Sequence, residues 1–447
     1  MMEKWEGIVK ELKRQMVMAV PLSVANFLIF ALQFISILFV GRISHRQLAG
    51  ASIAISFVNS VGYSVLMGVS CALDTLCGQS FGAKNHKMVG LYLQRSMVVV
   101  TIVSIPLAVV TAFSGRILIL LRQVPEISMA AQSFCRLMIP SLFAYGLLQS
   151  ILKFLQAQKL VMPIMVSSGI TTLVHCFNCW LLIYNTELGY RGAAVSISIS
   201  YWLNLVLLVV YVRYSVPCKS TWTGFSKEAF HNLSGFMKLG IPSTLMVCFQ
   251  NWQFELLLLL SGLLKNATLQ TSVMSVSQNI SSLVYVFPVG VSGAISTRIS
   301  NELGAENPKA AKLSVLIASL TSIVEGLIVG AVLIAGRRFW GHAYSTEIEV
   351  INAIVAMMPW IALSHCIDGF QCVLLGALRG CGQQKIGAIV CLCTYYLIGI
   401  PASNVLGFVL HMGVKGLWMG NICAIFVQDV VLLAITICTN WDKQVRA

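Results

Sequence analysis

The sequence predicts an all-α polytopic membrane protein, with twelve transmembrane helices in two six-helix lobes. Three observations predict it. Of the 447 residues, 57% are hydrophobic and 10% charged, against about 25% charged in a soluble domain. Apolar runs long enough to cross a bilayer, about 20 residues each, recur twelve times. One segment also occurs twice, half a chain apart, and repeats of that kind build many membrane transporters.

Taken in order, the runs fall near 16–40, 48–73, 91–113, 127–152, 161–184 and 192–212, then 236–263, 269–293, 311–335, 350–376, 386–410 and 416–438. Residues 1–15 are mixed-charge and amphipathic, with neither a signal-peptide pattern nor transit-peptide composition. They read as a short interfacial helix leading into the first span. Residues 1–213 are then an N-lobe, 214–235 a cytosolic linker and 236–447 a C-lobe. Within the linker, residues 225–233 read as a helix lying on the inner leaflet.

The repeat sets the symmetry. Residues 72–87 align with 294–309 at an offset of 222, matching Ala72/Ala294, Thr75/Thr297, Gly82/Gly304, Ala83/Ala305, Asn85/Asn307 and Lys87/Lys309. Pro21 and Gly41 match Pro242 and Gly262, Gln149 matches Gln371, and Gly189-x-Arg-Gly192 matches Gly413-x-Lys-Gly416. Six spans, an even number, fit in the interval. The two lobes therefore enter the membrane alike and are expected to share a pseudo-two-fold along the membrane normal.

The net charge of +14 is a matter of topology and does not point to nucleic acid. With the N-terminus in the cytosol, 20 Lys and Arg fall on the inner side and 10 on the outer. That bias places both termini in the cytoplasm. Fourteen cysteines lie mostly in apolar spans, where free Cys behaves as a small hydrophobe. Cys176-x-x-Cys179 and Cys391-x-Cys393 lack a second ligand pair, so no metal site is expected.

Seven prolines, at 21, 106, 140, 242, 288, 359 and 401, fall inside spans. Neighbouring helices tolerate them as kinks in a bundle. Pro21 and Pro242 recur at equivalent places and are candidate hinges.

Five acids lie within or at the edge of the spans: Asp74, Glu255, Glu325, Asp368 and Asp429. Each costs about 2.5–3.5 kcal/mol at a helix centre, so an acid kept there marks a cavity, a partner or a proton path. Glu255 sits beside Asn251 and Trp252, and Lys238, the basic residue of its span, lies near the far end. That suits it to hold a proton and pass it on. Asp368 lies three residues from both His365 and Gln371, which form a polar stripe on one helix face. Asp74, at the cytosolic end of its span, reads as a cap or a partner of loop cations. Asp74 and Glu325 are secondary candidates for a role in the proton path; Glu325 and Asp429 also fit as buried hydrogen-bonded acids, and His175 as a packed one. Trp252, Tyr285, Phe370 and Met274 suit planar, hydrophobic, often cationic compounds. No Gly-x-x-x-x-Gly-Lys-Ser/Thr loop is present, so no nucleotide drives the chain. No nucleophile–base pair is present either, and an enzyme is not expected.

Residues 72–83, Ser296–Pro308, 378–383 and 254–262 together resemble the multidrug and toxic compound extrusion (MATE) family, above all its plant detoxification carriers. The resemblance covers nearly the whole chain. It implies two six-helix lobes around a V-shaped central cavity, with rocker-switch alternating access and antiport of protons against organic compounds. It further implies coupling acids at Glu255 and Asp368. The helix-1 aspartate of one bacterial branch is absent, with only Asn26 and Gln33 on that span. Across the repeat Glu255 faces Phe34 and Asp368 faces Gly146, so the second half is expected to hold the proton chemistry.

The expected protein is a proton-driven exporter of cationic or amphiphilic aromatic compounds, with a cavity formed by Asn251, Trp252, Tyr285, His365 and Gln371. Its energy source is the proton gradient, without cofactor. It is expected as a monomer in the bilayer, in the plasma membrane in preference to the vacuolar one. A flippase for lipid-linked sugars, on the same two-lobe plan, is the alternative; it would favour a basic cavity, whereas the intramembrane charges here are mainly acidic. On this reading, Glu255→Gln abolishes gradient-driven efflux from vesicles while the protein still reaches the membrane. Undiminished efflux would remove Glu255 from the coupling path.

Overall fold

The computed structural model describes residues 2–121 and 123–444, with side chains described outside 2–4 and 45. Helices are the regular structure throughout the described residues, as the bilayer requires of a chain that cannot leave backbone groups unpaired. The long helices are α1 (Met2–Gly41), α2 (Arg46–Gly82), α3 (His86–Ala112), α4 (Pro125–Ala157), α5 (Met162–Tyr184) and α6 (Arg191–Tyr214). They continue as α7 (Leu233–Ser261), α8 (Ala267–Gly304), α9 (Pro308–Ala335), α10 (Ile348–Gly380), α11 (Gln384–Val409) and α12 (Val414–Cys438). All of these except α7 are both long and apolar enough to span a membrane. At 29 residues α7 has the length, but Gln250, Asn251, Gln253 and Glu255 dilute its apolar character.

Two expectations at the membrane surface change. Residues 2–15 are the first turns of α1, in one helix of 40 residues, and not a separate interfacial helix. Burial of Glu11 and Gln15 on α8 and α9 explains the continuity. Residues 225–233 form no surface α-helix; a single 3₁₀ turn, Lys227–Phe230, stands there. Gln94 of α3 competes for the backbone, donating to the Gly224 carbonyl and accepting from the Ser226 amide, both at 2.8 Å. Left-handed Gly224 and Asn232 bound the segment (φ 97° and 56°).

The chain forms two compact units, one of Met1–Ser23 with Cys248–Ala447 and one of Val24–Val247. Their limits fall inside α1 and α7, just past Pro21 and Pro242. The repeat is visible as geometry in each unit. Lys84 and its counterpart Glu306 both take a left-handed conformation (φ 59° and 57°), and the asparagine that follows caps the next helix. Asn85 accepts from the Met88 amide, and Asn307 from the Ala310 amide. Gly68 of α2 lies against Thr244 of α7 in one unit, and Gly290 of α8 lies against Ser23 of α1 in the other. These glycines are 222 residues apart and serve the same close crossing.

In the first unit, α1 is fixed by a buried ion pair. The Arg298 guanidinium of α8 donates to both Glu11 carboxylate oxygens, at 3.0 and 2.8 Å, and reaches Glu302 at 2.8 Å. Glu11 also accepts from the Ser314 hydroxyl of α9 at 2.7 Å and from Gln15 at 3.2 Å. Bidentate geometry with every oxygen engaged is what makes a buried pair tolerable.

A Cβ at residue 68 would lie 2.4 Å from the Thr244 Cα, and one at residue 290 would lie 2.0 Å from the Ser23 hydroxyl and 2.7 Å from its amide. Gly68→Ala and Gly290→Ala should each cost about 1–3 kcal/mol through overpacking. At Gly169 of α5 the nearest atom is 3.9 Å away, so alanine there should be neutral or stabilising, by up to about 1 kcal/mol. Thermal unfolding in detergent checks all three.

Candidate functional site

Most of the residues singled out in the sequence belong to the unit that contains Cys248–Ala447, and the structure gathers part of them. Asp368 of α10 is buried and close enough to interact electrostatically with His365, Tyr285 of α8, Tyr395 of α11 and Asp429 of α12. Among the described residues, neither Asp368 nor Asp429 has a Lys or Arg partner. One oxygen of Asp429 also has no hydrogen-bond partner, in a residue 7% exposed.

The members of the polar stripe on α10 are all buried, and two of them find further partners on other helices. His365 pairs through Nε2 with Glu325 of α9 at 3.1 Å. Gln371 donates to the Tyr395 hydroxyl at 2.6 Å. The second oxygen of Glu325 is buried and unpartnered. Glu325 is therefore a member of the cluster through His365.

The α7 residues reach the cluster by one edge. Gln250 approaches the Tyr395 hydroxyl, and Gln253 donates to Asn421 of α12. Glu255 is half-buried one turn further on, while Asn251 and Trp252 are exposed. Trp252 packs edge-on against Phe249. Met274, whose sequence context suited either a substrate contact or core packing, is fully buried in a hydrophobic cluster with Leu257, Met357 and Trp418. Its unbranched thioether fills core space.

Sequence reasoning missed Tyr395 and undervalued Asp429. Tyr395 lies in a π-helical turn, Cys393–Gly399, where the wider coil turns Thr394 and Tyr395 into the interior. Thr394 donates to Gln428 at 3.0 Å, next to Asp429. No spacing rule flags such a turn. For Asp429 the signal was present, an acid inside an apolar span.

In the unit of Val24–Val247 the corresponding polar cluster is neutral. Gln33 and Asn59 exchange hydrogen bonds at 2.9 and 2.8 Å. Tyr63, Tyr145 and Tyr201 pack as a triad, the first two stacked at 4.3 Å. Asn59 and Tyr63 again come from a π-helical turn, Val58–Tyr63. His175 is buried between Ser36 (3.0 Å) and Ser200 (2.8 Å), a packed, hydrogen-bonded histidine. Asp74 pairs with Lys153 at 3.0 Å; its cation comes from α4, not from a loop. Among the described residues, no group of three or more His, Cys, Asp or Glu is placed to hold a metal ion.

The MatE family model matches residues 21–181 and 242–405, two segments that begin at the paired prolines. The chain is 50% identical to Protein DETOXIFICATION 16 of Arabidopsis thaliana over 440 residues, 98% of this chain and 90% of that protein. It is equally similar to Protein DETOXIFICATION 15 of the same plant, 50% over 446 residues, covering 99% and 92%. Among solved structures, the eukaryotic MATE transporter AtDTX14 superposes with a TM-score of 0.95 at 39% identity, covering 98% of both chains. An outward-facing multidrug resistance MATE transporter shares the fold alone, with a TM-score of 0.87 at 12% identity over 98% and 97% of the two chains.

The His365–Glu325 pair should behave as one unit. In a double-mutant cycle of His365→Ala and Glu325→Gln, thermal unfolding should give a coupling of about 0.5–3 kcal/mol. Strictly additive losses would mean that the two side chains do not support one another.

Proposed function

The chain belongs to the MatE family of multidrug and toxic compound extrusion transporters, and we propose that it exports organic compounds in exchange for protons by alternating access. Protein DETOXIFICATION 15 and 16 are named for detoxification, and the chain is a multi-pass integral membrane protein. The observation that carries the coupling assignment is Asp368, buried beside Asp429 and two tyrosines with no Lys or Arg partner among the described residues. A carboxylate in such surroundings must take a proton or bind a cation from outside. Taking up and giving back that occupant is the elementary step of an ion-coupled cycle.

Glu255 and Asp368 are the coupling residues in this reading. His365 and Glu325 hold a neighbouring exchangeable position, while Tyr285, Tyr395 and Gln371 fix the geometry around Asp368. Asn251 and Trp252, exposed on α7, meet the substrate, and the indole face favours flat cationic compounds. Asp74 is removed from the coupling path by its bond to Lys153. Each pH unit supplies about 1.36 kcal/mol per proton, and a membrane potential adds to it. The protein works as a monomer with cytosolic termini, at the plasma membrane, and draws on the proton gradient with no bound cofactor.

Proteoliposomes carrying an imposed pH gradient and a labelled organic cation test this. Wild-type protein should accumulate the label against its gradient, and Asp368→Asn should fall to the leak of empty vesicles while still binding the label. Accumulation driven by a sodium gradient at uniform pH would overturn proton coupling.

A further inference from the structure

Outside that cluster, the unit of Val24–Val247 carries a groove of about 610 Å³ between α4 and α6. Arg136, Leu137 and Pro140 line one side; Val195, Ile199, Trp202 and Val206 lie along the other. Ile199, Trp202 and Val206 are exposed. From Val195 to Val206 the wall runs about 16 Å along α6 at 1.5 Å per residue.

Arg136 stands at the mouth. Its Nε donates to the carbonyl of Ala112, the last residue of α3, at 3.1 Å. The guanidinium thus sits at a helix C-terminus near a membrane face. Its two outer nitrogens have no partner among the described residues. An arginine inside a spanning helix without an acid needs an anion or water at its head.

Pro140 supplies the second half of the chemistry. It has no N–H to give the carbonyl of Arg136, four residues earlier. The neighbouring carbonyls of the kink are served by α6: the Ser198 hydroxyl donates to Leu137 at 2.8 Å and the Trp202 indole to Pro140 at 3.1 Å. The mouth therefore presents a donor fork and a carbonyl that lacks its usual helical donor, on the same residue, above an apolar slot.

We propose that this groove binds one glycerophospholipid: the phosphate on the Arg136 guanidinium, a headgroup N–H or O–H donor on the Arg136 carbonyl, and an acyl chain along Ile199, Trp202 and Val206. The donor requirement selects phosphatidylethanolamine over phosphatidylcholine, whose quaternary nitrogen has no N–H. The site is independent of the transport cluster.

Native mass spectrometry of the full chain in detergent, titrated with the two lipids bearing identical acyl chains, reads it directly. Wild-type protein should retain phosphatidylethanolamine about tenfold more tightly than Arg136→Gln does, the value of a charge-assisted contact. Arg136→Lys should recover part of the loss. Ile199→Trp, which fills the slot from the lipid-facing side, should reduce retention with Arg136 intact. Equal retention by wild type and Arg136→Gln, or by wild type and Ile199→Trp, would overturn the site. Equal affinity for the two lipids would overturn the headgroup assignment.

Discussion

A charge inside hydrocarbon must be matched, and the arrangement of this protein follows from how each one is. Arg298 is matched by Glu11 and Glu302, and Lys153 by Asp74. These pairs join helices, and removing one member would strand the other. Among the described residues Asp368 and Asp429 are matched by no Lys or Arg, and His365 with Glu325 depends on a proton. The contrast divides the intramembrane charges into those paired with a full counter-charge and those that are not. It also explains why the two units differ. One keeps a neutral cluster of amides and phenols, the other a cluster of acids.

Both clusters owe their geometry to irregular turns. A π turn presents Asn59 and Tyr63 in α2, and another presents Thr394 and Tyr395 in α11. A π turn takes one residue more than a regular turn and so rotates the side chains beyond it by about 100°. Locally wider coils are common where a helix lines a working site. Here they allow polar groups to converge while the backbone stays largely hydrogen-bonded.

The fold was legible in the sequence to the level of individual helices, because bilayer thickness converts directly into run length. The repeat was legible too, and reached further than composition. Asn85 and Asn307 were matched as letters and turned out to be matched caps. Glu255, Asp368 and His365 were legible as polar groups in an apolar context. Their partners were not, since His365–Glu325 and Gln371–Tyr395 join different helices and no local spacing encodes them. The amphipathic start of the chain misled for the same reason: it read as a separate interfacial helix, and the partner that buries Glu11, Arg298, lies 287 residues later.

That separation has a consequence for how the protein is made. At about 5–20 residues per second, roughly 15 to 60 s pass between synthesis of Glu11 and of Arg298. Throughout that time the first turns of α1 lack the partners that bury them. A nascent chain must keep this end at the membrane surface, uncommitted, until α8 and α9 emerge. Completion of the second half is therefore also the event that finishes the first helix, and a truncated product would leave Glu11 without the Arg298 and Ser314 partners that bury it.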